Sequence, residues 1–285
     1  MSICYLNGAF EALAEARVSV LDRGFIFGDG IYEVIPVFAR RPFRLAQHLR
    51  RLDRSLGAIG LNPPLSESAW HAMIDQLVGR NQFDDCAIYI QITRGVAPRN
   101  HAVPAAVTPT VFAMVSSMTP SAEPPPVAVI TLDDFRWQRC DIKAISLLPN
   151  VMARTAATVA GAYEAVLVRD GFLTEGAASN VLVVSGGQIK TPPHFPHILP
   201  GITRDALVEA LREGPDAISE TAITRAELLG ADEIWLTSST RDLVPVAALD
   251  GRALVAPGPV FKRVNRLYAE FKAAELQGVA TIPRR

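Results

Sequence analysis

Of the 28 lysine and arginine side chains in this 285-residue sequence only four are lysines, and the first of them is Lys143. It sits in Arg136-Trp137-Gln138-Arg139-Cys140-Asp141-Ile142-Lys143-Ala144-Ile145-Ser146-Leu147-Leu148, with apolar Ile142, Ile145, Leu147 and Leu148 around it. A lysine removed from water gives up its proton more readily, and the neutral amine is a nucleophile able to form a Schiff base with an aldehyde. Lysines beside apolar residues also commonly snorkel to solvent. This stretch alone leaves both readings open.

Two later segments carry complementary chemistry. Leu173-Thr174-Glu175-Gly176-Ala177-Ala178-Ser179-Asn180 presents a carboxylate next to a glycine. Leu199-Pro200-Gly201-Ile202-Thr203-Arg204-Asp205 opens a helical pattern, with apolar residues at Ile202, Ala206, Leu207, Ala210 and Leu211. Pro-Gly ahead of it, and Thr203 and Asp205 in its first turn, mark a helix start. Such a start offers free backbone N–H groups and a partial positive charge, a natural seat for phosphate; an ordinary capped surface helix has the same signature. An amine for the aldehyde, a carboxylate for the pyridine nitrogen and N–H donors for the phosphate are together what pyridoxal phosphate requires.

These segments follow Asp22-Arg23-Gly24-Phe25-Ile26-Phe27-Gly28-Asp29-Gly30-Ile31-Tyr32-Glu33, His48-Leu49-Arg50-Arg51-Leu52 and Thr93-Arg94-Gly95. With these motifs, in this order, the sequence resembles the fold-type IV pyridoxal-phosphate aminotransferases, a class that holds branched-chain transaminases, D-amino acid transaminases and aminodeoxychorismate lyase. The resemblance runs nearly end to end. It implies that Lys143 binds the cofactor aldehyde and, once displaced, moves the proton between the substrate Cα and the cofactor's C4′. It implies that Glu175 pairs with the pyridine nitrogen; at an effective dielectric of ~20, unit charges ~4 Å apart attract by about 4 kcal/mol before desolvation. The phosphate is expected on the N–H groups of Ile202 and Thr203 and the Thr203 hydroxyl. Arg51 is expected there too, chosen over Arg50 by its spacing from His48. Ser239, in Thr237-Ser238-Ser239-Thr240-Arg241-Asp242, matches a position commonly threonine in the family. Arg136 matches an arginine near the cofactor's phenolic oxygen in relatives; a plain salt-bridge arginine is the alternative.

Substrate choice rests on Arg94-Gly95-Val96-Ala97-Pro98-Arg99-Asn100-His101. Arg99-x-His101 resembles the D-amino acid transaminases, in which this arginine and histidine reach in from the partner subunit. With the tyrosine matching Tyr32 they grip the α-carboxylate through an arginine fork and two further donors. The implied activity is a homodimeric, ping-pong transfer from a D-amino acid such as D-alanine to a 2-oxo acid such as 2-oxoglutarate. A branched-chain L-amino acid transaminase or an aminodeoxychorismate lyase would share the cofactor residues. Two departures stand out: Ala144-Ile145-Ser146 where D-specific relatives usually carry Ser-Leu-Asn, and Arg241 in place of a smaller residue.

The elements that must position these residues follow from composition and period. Hydrophobic residues make up 49% of the chain, enough for real cores in two domains. A net charge of −1 and no basic stripe argue against nucleic acid as a partner. There is no apolar run of membrane length and no signal-peptide pattern, and the three cysteines form neither a disulfide framework nor a metal cluster. A cytoplasmic protein without a metal is the expectation. Arg40-Arg41 and Arg50-Arg51 are local pairs for which solvated surface is the bland alternative, and His48, His71, His194 and His197 read as helix-surface or loop residues. The proline-rich stretch 119–126 reads as a linker between an N-terminal domain, 1–118, and a cofactor-anchoring domain, 127–285. Strands are expected at 2–6, 31–38, 87–93, 110–115, 127–131, 165–168 and 181–184. Helices are expected at 45–59, 66–78, 151–160, 203–212, 224–229 and 260–275. Asn7-Gly8, Asp170-Gly171 and Asp250-Gly251 mark tight turns. Strands and helices mix without strict βαβ alternation, which makes the fold α+β.

Overall fold

Asn7 and Gly8, at φ 47° and 99°, close a tight turn between β1 (Ile3–Leu6) and β2 (Ala9–Ala12). Positive φ at both central residues is what a two-residue hairpin loop needs. The chain continues through α1 (Arg23–Phe27), β3 (Gly30–Phe38), β4 (Arg41–Pro42), α2 (Leu45–Ala58), α3 (Glu67–Gly79), β5 (Cys86–Thr93) and β6 (Thr110–Ser117). The strands form an antiparallel sheet in the order β2-β1-β6-β5-β3-β4. Along β3 the residues Ile31, Glu33 and Ile35 share one face and are fully buried, whereas Tyr32 and Val34 between them are half-buried. Leu49, Leu52 and Leu56 of α2 and Trp70, Ile74 and Leu77 of α3 complete this core.

The computed structural model describes residues 2–284 and divides into two units. The first comprises the chain up to Pro120, Ile142–Ser146 and the chain from Glu275; the second comprises Ser121–Asp141 and Leu147–Ala274. Two segments that lie beyond the proline-rich stretch in sequence therefore belong to the first unit. Ile142–Ser146 does so by pairing with β3, and Ile142 is buried in the first core. The C-terminal segment does so because Arg44 grips Glu275 with two N–H donors at 2.8 Å. Arg40 likewise donates to the Ile282 and Pro283 carbonyls at 2.6 and 3.0 Å. Arg40 is consequently buried, not the solvated surface residue of the bland alternative.

The second unit holds β7 (Val127–Asp133), α4 (Leu148–Val159), β8 (Glu164–Arg169), β9 (Phe172–Gly176), β10 (Asn180–Ser185), β11 (Gln188–Thr191), α5 (Ile202–Ala210), β12 (Ile218–Glu220), α6 (Arg225–Leu229), β13 (Glu233–Ser238), β14 (Asp242–Leu249), β15 (Arg252–Ala253) and most of α7 (Pro259–Gln277). Its strands run β12-β11-β10-β13-β14-β7-β8-β9, with β15 beside β14. The pairs β7–β8, β7–β14 and β11–β12 are parallel and the others antiparallel. The β7–α4–β8 passage is a parallel crossover inside an otherwise mixed sheet, in keeping with an α+β fold. Thr224 and Glu227 form a reciprocal capping box that starts α6.

Candidate active site

Lys143 is placed by backbone pairing. The Tyr32 N–H donates to the Lys143 carbonyl at 2.9 Å and the Ile145 N–H to the Gly30 carbonyl at 3.1 Å, with Ala144 bridged to Ile31. Ile142 and Ala144 pack on the first core, so alternation turns Lys143 the other way. Its Nζ lies 4.2 Å from the centroid of the Tyr32 ring. Lys143 is half-buried, less desolvated than its apolar neighbours in sequence suggest. The reason is that it leaves the sheet edge over Tyr32 rather than entering the core. Tyr89 packs beside Tyr32, ring centroids 5.7 Å apart, and donates to Gln91 at 2.7 Å. Burial, with Tyr32 nearby, pushes the Tyr89 phenol up to about 12, so it remains protonated.

Behind Tyr32, on the core face of β3, Glu33 clamps α2. Arg51 donates through Nε to Oε2 at 2.9 Å and through Nη2 to Oε1 at 2.6 Å, while His48 Nδ1 meets Oε1 at 3.0 Å. Burial would raise the Glu33 carboxyl, but the charges of Arg51 and His48 outweigh it and hold it well below the usual carboxylate range. Burial lowers the pKa of His48 against the pull of Glu33, and its Nε2 is enclosed without a hydrogen-bond partner. The bland surface alternative holds for Arg50 alone, and the expectation that His48 is a helix-surface residue is corrected: Arg50 is exposed, but Arg51 and His48 are buried against one carboxylate. Glu33 received no role from the sequence. A charge in register with Ile31 and Ile35 on a strand's apolar face, facing His48 and Arg51 three apart on a helix, was the available signal.

In the second unit Glu175 ends β9 in a buried polar nest. Its Oε2 accepts from Asn180 Nδ2 at 3.2 Å and from the Leu199 N–H at 3.0 Å, and its Oε1 pairs with Arg136 Nη1. Arg136 also binds Asp134 with Nε and Nη2, each at 2.9 Å, and the His197 carbonyl at 3.1 Å. Arg136 is thus joined to two carboxylates. Asp134, unnoticed in the sequence, steadies it, and is itself held by Arg169 at 3.1 Å. Burial pushes Glu175 up to about 7 even though Arg136 pulls the other way.

The start of α5 lies beside this nest. Gly201 is its N-cap and supplies no side-chain cap to the amides of Ile202 and Thr203. Glycine is required there by close approach, since a Cβ would fall 1.8 Å from Asn180 Oδ1. Arg204 anchors the helix, reaching the Pro192 carbonyl at 2.8 Å and Glu220 at 2.6 Å. Ser239 lies in the loop joining β13 to β14, half-buried, next to Thr237, whose Oγ1 is buried without a partner. Asp242 closes that loop at φ 53°, with its carboxylate held by Lys272 at 2.5 Å and Tyr268 at 3.2 Å. The structure therefore groups Glu175, Arg136, Ile202, Thr203 and Ser239 in the second unit, and Lys143, Tyr32 and Arg51 in the first.

Arg99 and His101 are exposed on the loop after β5. Both flank Phe27, at 5.6 and 5.3 Å, and no hydrogen bond, ion pair or ring contact among the described residues joins them to Tyr32. Arg23 secures this loop. It donates to the Asn100 carbonyl at 2.6 Å and to Asp29 at 2.7 Å, and Arg94 shares Asp29 at 2.8 Å.

Residues 30–249, well over half the chain, match the family described as amino-transferase class IV. The chain belongs to the class IV aminotransferases. A relative named D-alanine aminotransferase from Bacillus licheniformis is 42% identical over 91% of this chain and 93% of its own length. Among solved structures, a branched-chain aminotransferase from Thermoproteus uzoniensis matches with a TM-score of 0.89 at 25% identity, covering 99% of this chain and 100% of that one. An aminotransferase from Mycobacterium tuberculosis in a PLP-bound form matches with a TM-score of 0.81 at 25% identity, covering 96% of this chain and 99% of that one. Two of its buried carboxylates, Glu33 and Glu175, are shifted in opposite directions.

Two outcomes follow. Glu33→Ala removes the carboxylate that buried Arg51 and His48 share and is expected to cost about 3–5 kcal/mol, measured by urea unfolding; an unchanged midpoint contradicts the clamp. Folding lifts the Glu175 carboxyl to about 7, so the folded protein keeps a proton that the unfolded chain has already lost. Its contribution is complete at pH values below the unfolded pKa and is lost as pH rises toward about 7. In ligand-free protein, Glu175→Gln should therefore gain stability over the wild type between about pH 5 and 7, by on the order of 2–3 kcal/mol. Parallel stability profiles for the two proteins would show that Glu175 is not perturbed.

Proposed function

We propose that this chain is a pyridoxal-phosphate-dependent D-amino acid aminotransferase, moving the amino group of a D-amino acid such as D-alanine to a 2-oxo acid such as 2-oxoglutarate. The likeness to the Bacillus licheniformis D-alanine aminotransferase along almost the whole of both chains carries this reading. The residues present suit the cofactor. Uncapped amides at Ile202 and Thr203, in a glycine-tight cradle, suit a phosphate, and a buried carboxylate oriented by Asn180 suits a pyridine nitrogen. Lys143 would hold the aldehyde. Glu175 would hold the ring nitrogen, with Arg136 and Asp134 fixing that carboxylate in place. The amides of Ile202 and Thr203, the hydroxyls of Thr203 and Ser239, and Arg51 would hold the phosphate. When bound, the cofactor supplies an electron sink for negative charge at the substrate α-carbon.

The protein's own residues do the rest. The Lys143 amine, held over Tyr32, would take the proton from the substrate Cα and return it at the cofactor's C4′. Glu33 keeps Arg51 rigid, so that its guanidinium does not reorganise around an anion. Tyr32 binds the α-carboxylate. Arg99 and His101, which stand exposed and apart from the Tyr32 of their own chain, do so for the site of a second copy. A homodimer is supported by the exposed Leu148, Val151, Met152 and Val159 of α4 and by the exposed Val18, Val20, Leu21 and Phe25 of the first unit. Three unpaired buried cysteines support a cytoplasmic setting. Among the described residues no helix is long and apolar enough to cross a membrane. A branched-chain L-specific activity is the second reading, favoured by the Thermoproteus uzoniensis likeness but at much lower identity.

Mixing the coloured holoenzyme with single amino acids, under stopped flow, tests this. D-alanine and D-glutamate should bleach the cofactor's visible band quickly and L-leucine slowly. Arg99→Ala should cost about 10–100-fold in kcat/KM for D-alanine and erase the preference for the D-enantiomer. Faster reaction of L-leucine in the wild type would replace the D-specific reading with the branched-chain one.

A further inference from the structure

Arg136 divides its donors unequally between two carboxylates. Its Nε and Nη2 form a fork on Asp134, each at 2.9 Å, and Nη2 also reaches the His197 carbonyl at 3.1 Å, so that Nη1 alone is left to bond Glu175. The Asp134 side chain is fully enclosed. It also accepts from the Arg136 N–H at 3.1 Å and from Thr174 Oγ1 at 3.0 Å, and it pairs with Arg169 at 3.1 Å. Burial would raise the Asp134 carboxyl, but these partners outweigh it and hold it at about 2, so it is ionised at neutral pH. The fork is therefore held by a fixed charge in a closed cradle, and Arg136 has no freedom to redistribute its donors.

At the other end of the bridge Glu175 is left incomplete. An ionised carboxylate offers about four lone-pair positions. Glu175 Oε2 has both of its own filled, by Asn180 Nδ2 at 3.2 Å and the Leu199 N–H at 3.0 Å, whereas Oε1 meets only Arg136 Nη1 among the described residues. One acceptor position remains on Oε1. An arginine released from Asp134 would turn both terminal nitrogens onto Glu175 and fill it. We propose that Asp134 is a positioning residue: by holding the Arg136 fork it confines that arginine to a single bond with Glu175 and keeps an acceptor of Oε1 open for the cofactor's ring N–H. This role rests on the aminotransferase function proposed above. Within the network the charged and titratable groups are Asp134, Arg136 and Cys140 from the segment after β7, Arg169 from β8, and Glu175 itself. Burial pushes the Cys140 thiol up to about 11, so it carries no charge. Two acids and two arginines therefore set the balance. The negative charge of Asp134 adds to the burial that lifts Glu175, and a more basic carboxylate is the stronger acceptor.

Carbon NMR of ligand-free protein labelled at its glutamate carboxyls reads the first consequence, with the Glu175 signal identified by its loss in Glu175→Gln. In the wild type that signal should titrate at about pH 7. Asp134→Asn keeps the shape but loses the charge and the fork, and should move the titration down by about one pH unit or more. Arg169→Met leaves the fork on Asp134 and withdraws a positive charge, so it should move the titration up; it carries the test alone if Asp134→Asn does not fold. Asp134→Glu should return part of the wild-type value. In holoenzyme, nitrogen NMR of ring-labelled pyridoxal phosphate should show a weakened ring N–H bond in Asp134→Asn, with kcat for D-alanine down about tenfold and KM changed little. Shifts of opposite sign in Asp134→Asn and Arg169→Met support the role. A Glu175 titration that stays in place, or moves the same way in both variants, overturns it, as does Asp134→Asn with wild-type ring-nitrogen signals and kcat. Opposite shifts in an enzyme that turns over no D-amino acid would remove the D-amino acid reading and keep the role of Asp134.

Discussion

The pairing of Ile142–Ser146 with β3 is the constraint on which the chemistry of this protein depends. Two backbone hydrogen bonds, from Tyr32 to Lys143 and from Ile145 to Gly30, bring a distant piece of sequence to the strand that carries Tyr32 and Glu33. Register is fixed by what is buried. Ile142 and Ala144 fill the core beside Ile31, and a one-residue slip would send Lys143 into that apolar space and Ile142 out over the tyrosine. The amine is therefore aimed by hydrophobic burial of its neighbours, not by a polar contact of its own.

Two buried carboxylates are tuned in opposite directions by their partners. Glu33 is surrounded by cationic and hydrogen-bonding groups from α2, and stays ionised far below the usual range. It acts as a clamp that tolerates no change of charge, and it gives Arg51 a fixed geometry. Glu175 is equally enclosed; Arg136 and the Leu199 N–H oppose its desolvation, but Arg136 is shared with Asp134, whose charge pushes Glu175 up further. Its proton is therefore in play near neutrality, which suits the proposed pairing with a titratable ring nitrogen. The contrast comes from the partners, above all the second carboxylate beside Arg136, since burial alone acts in the same direction on both.

Much of this was legible in the sequence where a local rule spoke. The Asn7-Gly8 hairpin, the helices α2 and α3, and the start of α5 are set by turn chemistry and a 3.6-residue apolar period, and they lie within a few residues of expectation. The α+β class and the aminotransferase family were legible because several motifs occur in order. Strand β13, Glu-Ile-Trp-Leu-Thr-Ser, escaped because a buried strand in a mixed sheet loses the alternation that reveals it, and β11 and β12 because four and three residues are too few to show a period. The return of Ile142–Ser146 to the first unit also escaped, since no local signal marks a five-residue excursion. His48 was misread as a surface residue, and the ion pair of Arg51 went unnoticed, for a related reason. Their burial is dictated by Glu33 on another element, and ion pairing across elements leaves no periodic trace.

The central claim is that the Lys143 amine bonds covalently to pyridoxal phosphate. Reducing the holoenzyme with borohydride, digesting it and mapping the pyridoxyl-labelled peptide by mass spectrometry tests that claim most directly. The label is expected on the peptide containing Asp141-Ile142-Lys143-Ala144, and on no other. A label on Lys190, Lys262 or Lys272, or none at all, would contradict it.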